Sequence, residues 1–196
     1  MPFNDRRIRR AGGMLGLSSV FLFLGALVVL GNLNEDFSFA NDFVSKLGAT
    51  GAPNALWWNL LGFVLVGVLL MGFGIIYGAF LRDRLTGGLL ALFGAGFVFV
   101  AIPFDFVDSN SATSKAHFIA VCLALGCWLC GLARMSHNQL TDKTIRRRAN
   151  VAAVAIVLAI IGFVTGLWTM PMTHRMVFGV VFGWTAISSI YLLKTS

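Results

Sequence analysis

Six nearly uncharged stretches, at 11–31, 56–80, 87–103, 116–135, 149–169 and 174–193, leave this chain few ways to fold. Each is about 17 to 25 residues long, the length a helix needs to cross a hydrocarbon core. Water cannot solvate so many apolar faces. Lipid can, and a helix satisfies its own backbone there. The composition agrees: 58% of residues are hydrophobic and 12% charged, where soluble domains carry about a quarter charged residues. The expected fold is all-α, a six transmembrane helix bundle forming one domain over 1–196. A charged start ahead of an apolar run can also mark a secretory signal. This run is longer than a signal core, and 32–36 offers no small-x-small cleavage site, so it reads as a retained first helix.

The breaks are Arg82-Asp83-Arg84, 105–115, 136–148 and a Met170-Pro171-Met172 turn. Lys and Arg cluster on the cytoplasmic side of membrane proteins. With the N-terminus inside, only Lys46, Lys115 and Arg175 of the 15 Lys and Arg fall outside. Both termini are therefore expected in the cytoplasm. The net charge of +7 could suggest nucleic acid. Charges confined to the breaks, with no binding motif and no soluble basic face, argue against that partner. Cys122, Cys127 and Cys130 lie inside one apolar run, where cysteine packs as a small hydrophobe. Trp57, Trp58 and Trp168 fall at outer helix ends and read as an aromatic belt, while Trp128 and Trp184 read as bulk packing. Glycine pairs at 12/16, 74/78, 162/166 and 179/183 predict close internal helix contacts.

Between the first two runs, Phe39, Phe43 and Leu47 recur every four residues with Val44 beside them. Ser38 or Asn41 could cap a helix there and Gly48 could end it. A short amphipathic external helix over 39–47 is expected, lying on the membrane or folding over the bundle. The stretch Asp42-Phe43-Val44-Ser45-Lys46-Leu47-Gly48-Ala49-Thr50-Gly51-Ala52-Pro53 resembles the signature of a family of small bacterial and archaeal membrane proteins. That family is catalogued as domain of unknown function nine-nine-eight. The resemblance extends over nearly the whole chain. Pro103 and Asp105 end the third run, His117 opens the fourth, and His174-Arg175 opens the last, where the family commonly has glutamine before the arginine. It implies the six-pass fold in a bacterial or archaeal inner membrane, and no established activity.

Asp42, Ser45, Asp105, Asp108, His117, His174 and Arg175 all fall at external helix ends or loops, at one membrane depth. Ionisable groups at that depth are paired or functional. One reading is an interfacial network in which Arg175 pairs with Asp105 or Asp42. Another is a metal-assisted or lipid-directed hydrolase, with His117, His174 and Asp105 as a zinc ligand set and Ser45 nearby. A third is haem held between His117 and His174. A transporter fits less well, because mid-membrane charge is nearly absent. No cofactor is expected, with zinc and haem as alternatives. The main functional reading is binding, sensing or an accessory-subunit role at the extracytoplasmic face, with lipids and other membrane proteins as partners.

Overall fold

A computed structural model describes residues 6–195, and all regular structure among them is helical. Helix α1 covers Arg6–Asn32, α2 Ala55–Phe80, α3 Arg84–Phe99, α4 Ala112–His137, α5 Lys143–Val164 and α6 Met170–Lys194. Five of these are long and apolar enough to cross a membrane, and α3 is a shorter apolar helix of 16 residues. The protein is a membrane-type helical bundle. Each helix packs against the next, and α6 returns to pack against α1, which closes a ring. Both described chain ends and the α2–α3 and α4–α5 turns lie at one end, here the terminal end. The 33–54 segment, the 100–111 segment and the α5–α6 turn lie at the other, the loop end.

No hydrophobic effect drives helices together in lipid, so close approach must supply the attraction. The α2–α3 pair shows how. A Cβ built on Gly67 would lie 2.7 Å from Gly94 O, one on Gly74 would lie 2.7 Å from Ala91 N, and one on Gly78 would meet Gly87 N at 2.5 Å. Of the four pairs at four-residue spacing, 74/78 therefore sits in a backbone-to-backbone contact. Gly12 and Gly16 face α2 and α6. Gly166 is not helical at all: at φ +75 it ends α5, and Leu167 N–H donates to Gly162 O at 2.8 Å. A Cβ at Gly179 or Gly183 would touch nothing within 4 Å.

Aromatic rings fill the ring's interior. Phe23 stacks on Phe182 at 4.3 Å and meets Trp58 edge-on at 5.8 Å, and Trp128 meets Trp184 at 5.8 Å. Such pairs contribute about 0.5–1.5 kcal/mol each beyond their buried area. Trp58 is 0% exposed, so it belongs to the core and not to the expected belt, whereas Trp57 is exposed. Adjacent residues on a helix point about 100° apart, so only one of the two can face outward. Residues Asn59–Leu65 form a π-helical segment within α2. Its i→i+5 period brings Trp58 and Phe63 to the same face, their rings 5.4 Å apart.

Several boundaries differ from the sequence reading, three of them for reasons that single residues supply. Helix α3 stops at Phe99, before the residue ahead of Pro103, which a proline keeps out of the helical region. Helix α5 stops at Val164, because Gly166 takes the left-handed cap. Met170-Pro171-Met172 is not a turn but the first turn of α6, with Thr169 capping Met172 N–H at 3.4 Å and proline where its missing N–H does no harm.

At the terminal end, Asp83 organises the α2–α3 turn. Its Oδ1 accepts from Leu85 N–H at 3.1 Å and Thr86 N–H at 3.2 Å, capping α3. Oδ2 accepts from Thr86 Oγ1 at 3.0 Å. Arg134 of α4 reaches the same carboxylate at 2.8 Å. One residue thus ties three helices.

Candidate functional site

The 33–54 segment is less helical than its periodicity implies. Only Val44–Gly48 is a helix, and it is 3-10, with Phe43 before it and no side-chain cap. The reason lies in its tethers. Ser38 N–H donates to Asp42 Oδ2 at 2.7 Å, and Lys46 Nζ donates to the same oxygen at 2.8 Å and to Asp36 O at 2.7 Å. These bonds close turns where a helix over 39–47 would need its backbone free. Val44 and Leu47 are buried, but Phe39 is exposed. Burial alone would raise the Asp42 carboxyl, but the Lys46 ammonium and the Ser38 N–H outweigh it and hold it below the usual range.

Arg175, at the start of α6, fixes this segment to the bundle. Its guanidinium donates to Ser38 O at 3.2 Å, Ala40 O at 3.3 Å and Asp42 O, and to Pro171 O in its own helix at 3.1 Å. The expected carboxylate pairing gives way to a carbonyl cradle: an irregular segment has unpaired C=O groups, and a planar five-donor fork can serve several at once. Elsewhere, Asn59 Nδ2 donates to Gly48 O at 2.9 Å, and Thr50 N–H to Phe104 O at 3.0 Å. The segment is a lid bonded on three sides. Arg175→Ala should cost about 1–3 kcal/mol, the usual penalty for stranding partly buried acceptors. Proteolysis within 36–42 should accelerate, with partial recovery in Arg175→Lys. An unchanged digestion rate would show that the cradle holds nothing.

Asp105 and Asp108 do not join Arg175. Asp105 Oδ1 accepts from Val107 N–H at 2.8 Å and Asp108 N–H at 3.1 Å, and Asp108 Oδ1 accepts from Asn110 N–H at 3.0 Å. Ser114 Oγ completes this turn, accepting from Asp105 N–H at 3.0 Å. Both carboxylates shape the 100–111 segment. His117 is 6% exposed, and its Nδ1–H donates to Ile102 O at 2.8 Å. A carbonyl only accepts, so this bond fixes the tautomer and leaves Nε2 as the lone pair. His174 stands edge-on between Phe43 at 5.7 Å and Phe178 at 4.6 Å.

His117, His174 and Ser45 do share one space. They line the loop end of a cavity of about 390 Å³ bounded by α3, α4, α5 and α6 beneath the lid. Thr173 is its other polar neighbour, and Phe63, Phe97, Val121, Leu125, Val177 and Val181 make the rest apolar. The volume falls in the range of about 300–1,000 Å³ typical of small-molecule sites. Helices α4 and α6 are not ring neighbours, and α5 between them leaves the gap unfilled. At the rim, Phe118, Phe163, Val164 and Met170 are exposed on the bundle's outer surface, so the cavity opens sideways.

The zinc set of His117, His174 and Asp105 is not assembled. Asp105 does not line the cavity, and no three His, Cys, Asp or Glu side chains among the described residues are grouped to hold a metal. Sequence reasoning missed the apolar lining, since Val121 and Val177 look like any lipid-facing valine. It also missed Asp83, although an aspartate just ahead of a helix with threonine three residues on is a capping signal.

The model of a family described as protein of unknown function (DUF998) matches residues 17–193. No curated protein and no solved structure matches the chain.

Proposed function

This chain belongs to the DUF998 family, whose function is unknown, and from its own geometry we propose that it binds the hydrocarbon chain of a membrane amphiphile. The polar end of that ligand meets Ser45, His117 and His174 at the outer leaflet. One observation carries this reading: an apolar cavity open sideways, with its few polar groups gathered at one end under a bonded lid. A hydrocarbon chain fits the walls, and a hydroxyl, which can donate to the His117 Nε2 lone pair, fits the imidazoles.

The same reading makes α3 a sixth crossing. At about 1.5 Å per residue its 16 residues span about 24 Å. The bond from Thr50 N–H to Phe104 O supports a full return, because it brings the chain after α3 back beside the start of α2. Six crossings put both termini on one side, and the Lys and Arg distribution supports the cytoplasm as that side; a bacterial or archaeal cell rests on the family resemblance alone. The role is then binding or sensing at the extracytoplasmic face, on the protein's own account or as an accessory subunit.

Titration of the purified protein with a fluorescent long-chain alcohol tests this. Val121→Phe and Val177→Phe fill the cavity and should each weaken binding by about tenfold or more, equivalent to about 1.4 kcal/mol. Unchanged affinity in both would refute the cavity as the site. A lipid-directed hydrolase is the second reading, favoured by Ser45 sharing the cavity with a His117 whose Nε2 is unprotonated. Turnover of a long-chain ester that disappears in Ser45→Ala would establish it.

A further inference from the structure

The terminal end holds a second cleft, of about 910 Å³, between the α2–α3 turn and the end of α4. Arg82, Arg84, Arg134 and His137 line it, with Leu85 and Leu89 on its apolar side. Asp83 also lines it, but its carboxylate already accepts from two backbone N–H groups, Thr86 Oγ1, Arg134 and Asn138. Those bonds neutralise Arg134 and leave the acid no free edge to repel an anion. Arg82 and Arg84 are exposed, and neither guanidinium has a partner among the described residues.

The backbone at Arg82 adds a second sign. At φ 56 it occupies the left-handed position that closes α2, with Asp83 N–H donating to Gly78 O at 2.9 Å. Glycine is the ordinary residue there, and a bulky side chain holds that conformation only under strain. The left-handed turn sets that arginine at the rim of the cleft.

We infer that this cleft binds an anionic phospholipid, its phosphate between Arg82 and Arg84 and its chains along α3. The shared chemistry, a phosphate ester anion, would also suit free phosphate. The apolar flank favours the lipid: Leu85 is 56% exposed, and Leu140, also lining the cleft, is 96% exposed. Basic pockets beside membrane helices bind lipid headgroups in this way. The site is separate from the lid-covered cavity and does not depend on what that cavity holds.

The test is binding of phosphatidylglycerol to the protein in phosphatidylcholine nanodiscs. Arg82→Gln/Arg84→Gln should weaken it by at least about tenfold, and Arg82→Lys/Arg84→Lys should restore most of it. Lys143→Gln/Arg147→Gln removes equal charge from exposed positions outside the cleft and should leave affinity within about twofold. Equal weakening in that control would reduce the effect to bulk electrostatics and overturn the site. Inorganic phosphate binding as tightly as the lipid would overturn the lipid as its ligand, because the chains along α3 would then contribute nothing. Full binding in Arg82→Gln/Arg84→Gln would overturn both.

Discussion

Gly78→Leu should leave little folded protein. A Cβ at this position would overlap the Gly87 backbone and lie 3.0 Å from Asp83 O. Backbone cannot swing aside as a side-chain tip can, and α2 and α3 are joined by only the short 81–83 turn. The two helices would have to separate along their length and lose the Gly67–Gly94 and Gly74–Ala91 contacts as well. Overpacking ordinarily costs about 1–3 kcal/mol, and loss of a whole helix contact should exceed that. Gly88→Leu is the control, since a Cβ there would meet nothing within 4 Å. Melting temperature and monomer yield in detergent should collapse for the first variant and hold for the second. Equal behaviour would mean that the close approach is not what holds the pair.

Asp83→Ala should be nearly as severe. It removes the cap of α3, worth about 0.5–2 kcal/mol, and strands Arg134. Breaking a buried pair costs about 3–5 kcal/mol, but Arg134 is 45% exposed and solvent screens part of its charge. A combined loss of about 3 kcal/mol is expected. Stability should also depend on acid. Burial would raise the Asp83 carboxyl, but Arg134 and the Thr86 donors outweigh it, so it lies below its ordinary value. The unfolded chain then takes up the proton first. The stabilisation is complete above the unfolded carboxyl value of about 3.9 and is lost as pH falls through the folded one. Asp42 contributes in the same window, so Asp83→Ala should flatten the acid limb without abolishing it. A wild-type melting curve independent of pH below 5 would contradict the assignment.

The membrane runs were legible because hydropathy over twenty residues averages out local accidents. Their ends were not, because they turn on single residues: Gly166 adopting a left-handed cap, Pro171 opening a helix where it was read as a break. The lid shows a different failure. Phe39, Phe43 and Leu47 have helical spacing, but Asp42 holds Ser38 N–H and Lys46, and Arg175 holds three carbonyls. Side-chain bonds to the backbone competed with the helix and prevailed. The polar cluster was half legible. Shared depth brought His117, His174 and Ser45 to one cavity, but opposite charge did not bring Arg175 to Asp105. Irregular backbone offers acceptors that a residue list does not display.

The closed ring also sets an order of events during synthesis. Every helix pair in it is adjacent in sequence except α1 with α6. Five helices can leave the ribosome and dock one after another, each on the one before. Through all of that, Gly13 of α1 lacks the cover that Ser189 and Leu193 of α6 will give it, while Gly12 already meets Ile76 of α2. Helix α1 waits for α6. A chain stopped before α6 would leave the Gly13 side of α1 without Ser189 and Leu193 against it.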